Sequence, residues 1–231
     1  MINYIPQYRD YPKVPDVIYT PSSVYDNIAN SVKNVTVRRC ADDMVAWELD
    51  ETTVLGIISC WGDIPTILKQ LLFDFQVKRR KALEFGVEYG YSTAALANYF
   101  EKVIGVDTFC GDLHCGSKNN HLEATRKNLE PYPNVILCQS DYRDYIKHNN
   151  ETFDLIHVDI IHTYEDTYKC GEWAVNHAPV TIFHDTESFE EVKQACFDLS
   201  ANYDLVFANY KQSHGLGILY NPIMVDKVNN F

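Results

Sequence analysis

The sequence lacks the long apolar run that a membrane-spanning helix requires. No segment of it approaches the ~18 consecutive apolar residues of such a helix. The first six residues contain neither the basic cluster nor the apolar stretch of a secretory signal. We therefore expect a cytoplasmic protein without membrane contact.

Basic side chains are scarce as well. The 231 residues include 20 Lys and Arg against 32 Asp and Glu, a formal net charge of -12. Because such a chain repels a phosphate backbone, it is not expected to bind nucleic acid. The sequence also has no internal repeat and no low-complexity segment.

The seven cysteines do not suggest a disulfide framework. Their number is odd and they are scattered along the chain, which favours reduced thiols in a cytosolic protein. Cys110 and Cys115, with His114 and His121, could in principle bind zinc. Their spacing matches no common zinc pattern, so this site is a minor alternative.

Proline distribution divides the chain in two. Four prolines fall within the first 21 residues, which excludes long helices there and predicts an irregular arm or lid over residues 1–62. Residues 63–231 are expected to form one folded domain. It begins with a helix over 63–77, where apolar residues recur at helical spacing and form one packing stripe.

Short apolar runs alternate with helical stretches from residue 81 onward. This alternation predicts a Rossmann-like α/β fold with seven strands, mostly parallel, and helices on both faces. The loop between the last two strands is too short for a parallel crossover, so the last strand is expected to be antiparallel. The predicted strands are 81–85, 103–106, 135–138, 155–158, 180–183, 205–208 and 216–219, and the predicted helices are 91–100, 120–130, 164–178 and 189–199.

A glycine turn follows the first of these strands. Gly86 and Gly90 lie between the strand and the next helix, an arrangement that holds an adenosine-containing cofactor. A dinucleotide turn needs glycine two residues after the first, where this chain has Glu88, which would repel a pyrophosphate. S-adenosylmethionine (SAM) has no phosphate and carries a sulfonium cation, so Glu84 and Glu88 are compatible with it. The turn favours SAM over NAD.

Acidic residues also follow the second and third strands. Asp107 is placed to accept hydrogen bonds from both ribose hydroxyls of the cofactor, although it could be an ordinary loop aspartate. Asp141 could accept from the adenine amino group, with Tyr142 beside the ring. Ser140-Asp141 is equally typical of a helix start.

Acids and histidines follow the fourth and fifth strands. Since these strands should be neighbours, Asp159, His162, His184 and Asp185 are expected to converge near the methyl group of SAM. Asp159 and Asp185 could hold Mg²⁺, which would lower the pKa of an acceptor hydroxyl, and a histidine could act as base. Alternatively, the two aspartates cap the helices that follow and the histidines bond to backbone.

The chain resembles class I SAM-dependent methyltransferases, most of all the subgroup related to macrocin O-methyltransferases and cephalosporin-hydroxylase-like proteins. The resemblance spans residues 81–220. The matching segments are 83–93, 105–112, Asp159 with 162–165, 182–185 and 215–217.

The resemblance implies that Gly86 and Gly90 line the methionine part of SAM and that Asp107 binds its ribose. It implies Mg²⁺ at Asp159 and Asp185 in members that methylate sugar hydroxyls. Two departures stand out: Ile160-Ile161 replaces the usual Gly-Asp, and His184-Asp185 replaces a pair of aspartates.

The sequence therefore predicts O-methylation of a hydroxyl on a small-molecule or glycan acceptor, by a protein that is compatible with a homo-oligomer. His162 is the first choice as base, and Asp159 and His184 complete the predicted catalytic set. The alternative is a non-catalytic SAM-binding module, suggested by the missing aspartate at Ile161. The predicted cofactor-binding residues are Glu84, Gly86, Glu88, Gly90, Ser92, Asp107, Thr108, Asp141 and Tyr142.

Overall fold

The computed structural model describes residues 17–18, 57, 59, 61, 64–111 and 119–221. They form one eight-stranded sheet with six helices. The strands are β1 (Val17–Ile18), β2 (Lys81–Phe85), β3 (Lys102–Asp107), β4 (Val135–Gln139), β5 (Leu155–Val158), β6 (Val180–His184), β7 (Val206–Tyr210) and β8 (Leu216–Tyr220). The helices are α1 (Ile64–Asp74), α2 (Tyr91–Ala97), α3 (Leu122–Asn128), α4 (Tyr142–His148), α5 (Tyr164–His177) and α6 (Glu190–Tyr203).

The strand order across the sheet is β1-β7-β8-β6-β5-β2-β3-β4. Every neighbouring pair is parallel except those of β8, which is antiparallel to both β6 and β7. The prediction of a mostly parallel seven-stranded sheet with an antiparallel last strand is confirmed. The two-residue β1 adds an eighth strand at the edge, within a segment predicted to be irregular.

The order of strands reverses between β2 and β5. From β2 the chain continues to β3 and β4 on one side, and then crosses to β5 and β6 on the other. The loops that leave β2 and β5 therefore diverge, which opens a crevice beyond the carboxyl ends of these strands. Both strands are almost entirely buried, as expected for the centre of a sheet covered on both faces.

Alternating side chains of the strands pack into two separate apolar layers. Ala82 belongs to the layer formed with α1 and α2, whereas Leu83 and Phe85 belong to the layer formed with α5 and α6. This confirms the prediction of helices on both faces. The stripe predicted on the first helix is buried as expected, with Leu68, Leu71 and others in the core.

One helix was missing from the prediction. Helix α4 has only seven residues and follows β4 directly, with Asp141 as its N-cap accepting a hydrogen bond from the Arg143 backbone N–H at 2.7 Å. The alternative reading of Ser140-Asp141 as a helix start is therefore correct. A seven-residue helix offers less than two turns of periodicity, too few for its apolar spacing to stand out.

Several expectations fall outside the described residues. Most of the predicted arm (1–62) lies there, as do Cys115 and His114 of the weak zinc candidate. Within the described part of the chain, Cys110, Cys138, Cys170 and Cys196 are free thiols. No helix in that part is both long and apolar enough to cross a membrane.

Candidate active site

A cavity of about 530 Å³ lies beyond the carboxyl ends of the central strands. Its volume falls within the ~300–1,000 Å³ of typical small-molecule sites. It brings together almost all the residues predicted for the cofactor and for catalysis. The predicted residues that line it are Gly86, Glu88, Ser92, Asp107, Thr108, Asp141, Tyr142, Asp159, His162, His184 and Asp185.

The glycine turn packs directly against the end of β5. Gly86 has φ of 88°, and a Cβ atom placed there would lie 1.6 Å from the carbonyl oxygen of Asp159. Only glycine allows this approach, so Gly86 fixes the distance between the cofactor turn and the predicted catalytic strand. Gly90 also has φ of 90°, but a Cβ atom there would meet only the side chain of Leu129. Gly90 does not line the cavity.

Asp107 holds the turn through its carboxylate. Oδ2 accepts hydrogen bonds from the backbone N–H groups of Val87 (2.8 Å) and Glu88 (2.9 Å), and Oδ1 accepts from the N–H of Phe109 (2.7 Å). A carboxylate offers about four acceptor positions, so three are already used within the protein. Asp107 therefore has room for only one of the two ribose hydroxyls that the sequence led us to expect.

Glu84 lies beneath the cavity rather than in its wall. Its side chain is fully buried, accepts a short hydrogen bond from the Thr93 hydroxyl, and contacts His157 Nδ1 at 2.9 Å. Thr93 belongs to α2 and His157 to β5, so Glu84 connects the helix after the glycine turn to the strand that carries Asp159. The structure gives Glu84 a supporting position and no contact with the cavity.

Ion pairs and a hydrogen bond connect the residues at the Asp141 end of the cavity. Arg143 bridges Asp141 and Asp166, while the Tyr142 hydroxyl donates to Asp166 at 2.6 Å. Burial and the Asp166 carboxylate raise the pKa of Tyr142 well above its usual range. Tyr142 is therefore a neutral ring in the cavity wall, as the predicted adenine contact requires.

The two aspartates at the ends of β5 and β6 lie between two histidines. Asp159 Oδ2 is 3.1 Å from Nδ1 of His184, and Asp185 Oδ2 is 2.9 Å from Nε2 of His162. His162 Nε2 is also 3.6 Å from Asp159 Oδ1. The predicted convergence of these four residues with one another is therefore observed, and each histidine contacts a carboxylate.

The charges of this cluster depend on one another. Burial raises the pKa of Asp159, but His184 and His162 outweigh burial and hold that pKa well below its usual range. Burial lowers the pKa of His162, but Asp159 and Asp185 have a larger, opposite effect, and the pKa is raised to about 9. Burial likewise lowers the pKa of His184, and Asp159 reverses this effect and raises it. These shifts favour an ionised Asp159 and a protonated His162 at neutral pH.

An aromatic ring covers each of these histidines. Trp61 stacks on His184 with ring centroids 3.9 Å apart, and Phe189 stacks on His162 at 4.1 Å. Both aromatic residues line the cavity. Sequence reasoning missed them, because Trp61 lies before the predicted domain boundary and Phe189 was predicted only as the first residue of a helix.

His121 is another residue of the cavity wall, and the sequence analysis named it only in the weak zinc candidate. Its ring is buried and contacts Tyr89 and Phe109, with centroids 5.0 and 5.9 Å away. Its Nδ1 atom is 3.2 Å from the Asn119 carbonyl oxygen. Since a carbonyl only accepts hydrogen bonds, Nδ1 must be the donor.

Asp159, His162, His184 and Asp185 together form an acid–histidine cluster. Three of its side chains have the chemistry of a metal centre. One ligand atom each from Asp159, His162 and Asp185 lies within 4.8 Å of the others. Two carboxylates and an imidazole suit a divalent cation, with the carboxylates supplying the hard oxygen donors that Mg²⁺ prefers. The two carboxylates fit the predicted metal at Asp159 and Asp185, with His162 beside them.

Residues 83–186 match the family model described as a methyltransferase domain. The matched segment contains the glycine turn, Asp107, Asp159 and His162, and ends just after Asp185. The match supports the prediction of a methyltransferase over this segment of the chain. No curated protein matches the chain.

Solved structures share the fold at low sequence identity. The O-methyltransferase TomG from Streptomyces achromogenes, in complex with SAM, is 15% identical, with a TM-score of 0.54 over 71% of this chain and 80% of TomG. The O-methyltransferase NovP is also 15% identical, with a TM-score of 0.55 over 70% of this chain and 78% of NovP. A Streptococcus mutans protein, described as a methyltransferase and solved with S-adenosylhomocysteine (SAH), is 16% identical. Its TM-score is 0.52, over 67% of this chain and 96% of that protein.

Proposed function

We propose that this protein transfers the methyl group of SAM to a hydroxyl of a small-molecule acceptor, with sugar-like compounds as the expected class. One observation carries the proposal: a single cavity joins the glycine turn and Asp107 to the cluster of Asp159, His162 and Asp185. A cofactor held at the first end would face an acceptor held at the second. TomG and NovP are O-methyltransferases of the same fold, which supports the reaction class.

The cofactor end would bind SAM through the backbone of the glycine turn, Asp107 and the wall formed by Asp141 and Tyr142. SAM, when bound, supplies an electrophilic methyl group on its sulfonium. The protein's contribution is then to orient the cofactor and acceptor in line, which can account for much of the acceleration. Ser92 and Thr108 line the same end of the cavity and are proposed to contact the cofactor.

The acceptor end would position the hydroxyl and remove its proton. His162 is the proposed base. Its pKa of about 9 means that it is protonated at neutral pH, so it must lose this proton before it can accept one from the acceptor hydroxyl, and a cation beside Asp159 and Asp185 would favour that loss. A divalent cation such as Mg²⁺, held by Asp159 and Asp185, would neutralise these carboxylates and lower the pKa of an acceptor hydroxyl. His184 is proposed to hold the Asp159 carboxylate in position, because its Nδ1 contacts Oδ2 and Trp61 covers its ring.

The first test is calorimetric titration of the purified protein with SAH, in EDTA and again in MgCl₂. Micromolar binding is the expected result, and a change in heat with Mg²⁺ would support the metal. Absence of binding in both buffers would refute the proposal.

The second test follows methyl transfer from labelled SAM to a panel of sugars and small hydroxyl compounds. Transfer that EDTA suppresses and MgCl₂ restores is expected. A protein that binds SAH but methylates none of the panel would favour the non-catalytic binding module suggested by Ile161.

A further inference from the structure

Asp107 alone has fewer free acceptor positions than the two hydroxyls of a ribose need. Asp107 Oδ2 already accepts two backbone hydrogen bonds, and Oδ1 accepts one, from Phe109 at 2.7 Å. The Thr108 hydroxyl approaches Oδ1 at 3.5 Å and adds little. The one acceptor position left on Asp107 can serve one hydroxyl, and a ribose has two.

His121 carries an acceptor that the protein itself does not use. Because Nδ1 donates to the Asn119 carbonyl, the single N–H of the neutral imidazole form lies on Nδ1, and Nε2 in that form presents a lone pair. Nε2 is buried and has no hydrogen-bond partner among the described residues, and the ring lines the cavity. A buried polar atom without a partner is costly, which points to a ligand that satisfies it.

The backbone places His121 beside Asp107. The N–H of His121 donates to the Phe109 carbonyl at 3.0 Å, and the N–H of Phe109 in turn donates to Asp107 Oδ1. The helix that His121 precedes is attached to the glycine turn as well, because the Thr125 hydroxyl donates to the Glu88 carbonyl at 2.6 Å. His121 therefore lies between the glycine turn and the loop after Asp107, where the ribose is proposed to bind.

We propose that His121 Nε2 accepts a hydrogen bond from one ribose hydroxyl of the cofactor, while Asp107 accepts from the other. This inference rests on the proposed function, because it requires SAM or SAH in the cavity. It assigns to His121 a binding role that no sequence motif indicated. The Asn119 carbonyl acts through His121, since it holds the ring in the tautomer that accepts at Nε2.

The test compares SAH with its 2′-deoxy and 3′-deoxy analogues on the native protein and on two variants. His121→Asn keeps a donor near the Asn119 carbonyl but has no acceptor at the Nε2 position, whereas His121→Gln places an amide oxygen close to it. His148→Gln is the control, since His148 is exposed at the end of α4 and outside the cavity wall. Binding is measured by calorimetry, and folding by thermal melting.

One neutral hydrogen bond corresponds to a change of about five- to tenfold in affinity. The analogue that lacks the hydroxyl bound by His121 should bind more weakly by about this factor on the native protein and on His148→Gln. The other analogue should lose at least as much affinity, because its missing hydroxyl would bond a carboxylate. His121→Asn should bind SAH more weakly than the native protein by the same factor. This variant should bind one of the two analogues with the same affinity as SAH. His121→Gln should recover part of the affinity.

Two results would overturn the inference. If both analogues lose as much affinity on His121→Asn as on the native protein, neither hydroxyl is bound by His121. The same conclusion would follow if both His121 variants bound SAH as tightly as native protein. Failure of the native protein to bind SAH at all is a separate result, which would refute the proposed function itself.

Discussion

The two ends of the cavity are built in different ways. At the glycine turn, most of the contacts involve backbone groups. Asp107 accepts three backbone N–H bonds, and Gly86 lets two chain segments approach closely. At the acid–histidine cluster, side chains contact side chains, with Asp159 and Asp185 between His162 and His184. The first end is a rigid frame, whereas the second depends on charge.

This difference has a chemical consequence. A backbone frame offers much the same geometry over a wide pH range, which suits the binding of one invariant cofactor. A cluster of coupled charges changes state with pH, with a metal or with an acceptor, which suits proton removal. Substitutions at the two ends should therefore affect different measurements.

Gly86→Ala should have the largest effect, because it damages both ends at once. The added methyl would overlap the Asp159 carbonyl, and an L-residue at φ of 88° adds strain of about 1–3 kcal/mol. We expect a total loss of unfolding free energy above ~4 kcal/mol in urea titration, together with loss of SAH binding.

Gly90→Ala is the matched control for this prediction. Gly90 has nearly the same φ, so the strain is comparable, but the atoms nearest to its Cβ would belong to the side chain of Leu129 rather than to backbone. A stability loss of about 1–3 kcal/mol is expected. Equal losses in the two variants would show that the close approach to Asp159 is unimportant.

Substitutions at the two ends of the cavity should affect different quantities, kcat for Asp159→Asn and the affinity for SAH for Asp107→Asn. Asp159→Asn should lower kcat by about 10²-fold or more while the Kd for SAH stays within about threefold, because it alters only the acceptor end.

Asp107→Asn should instead weaken SAH binding by about tenfold or more, since the amide cannot accept all three backbone bonds. Calorimetry with SAH and a methyl-transfer assay on both variants provide the measurements. Unchanged turnover in Asp159→Asn would remove that residue from the proposed mechanism.

The sequence was most informative where the signal was local. The glycine spacing, the strand that precedes it and Asp107 lie within 27 residues, and each has a direct physical meaning. The meeting of Asp159 with Asp185 was also predictable, since β5 and β6 are neighbours in a parallel sheet and their carboxyl ends lie at one edge.

Contacts between distant segments could not be read from the same patterns. Nothing in the spacing of Trp61 indicates that it stacks on His184, and nothing near Phe189 links it to His162. Glu84 followed the pattern of a cofactor residue but is turned toward Thr93 and His157, beneath the cavity. Which face of a strand end meets a ligand is decided by the packing of its neighbours.

Addition of MgCl₂ should affect only the end of the cavity that contains Asp159 and Asp185. We expect it to raise the melting temperature of the native protein, since binding to the folded state alone is stabilising. The increase should disappear in Asp185→Asn and persist in Asp107→Asn, provided that each variant still melts cooperatively in EDTA. An equal increase in the native protein and in Asp185→Asn would place any bound metal elsewhere.

The smallest expected effect is the pH dependence contributed by His162. Its pKa of about 9 in the folded protein lies above the ~6.5 of an unfolded chain, because Asp159 and Asp185 stabilise the protonated ring. This contribution to stability is therefore fully present below pH ~6.5 and is lost as the pH rises through about 9. The difference in unfolding free energy between native protein and His162→Gln, measured by urea titration in EDTA, should shrink over that range. His148→Gln, at an exposed position, should show no such trend. A difference that stayed constant from pH 6 to pH 10 would mean that His162 is not held in the protonated form, and the acceptor end would then carry a net negative charge without any metal.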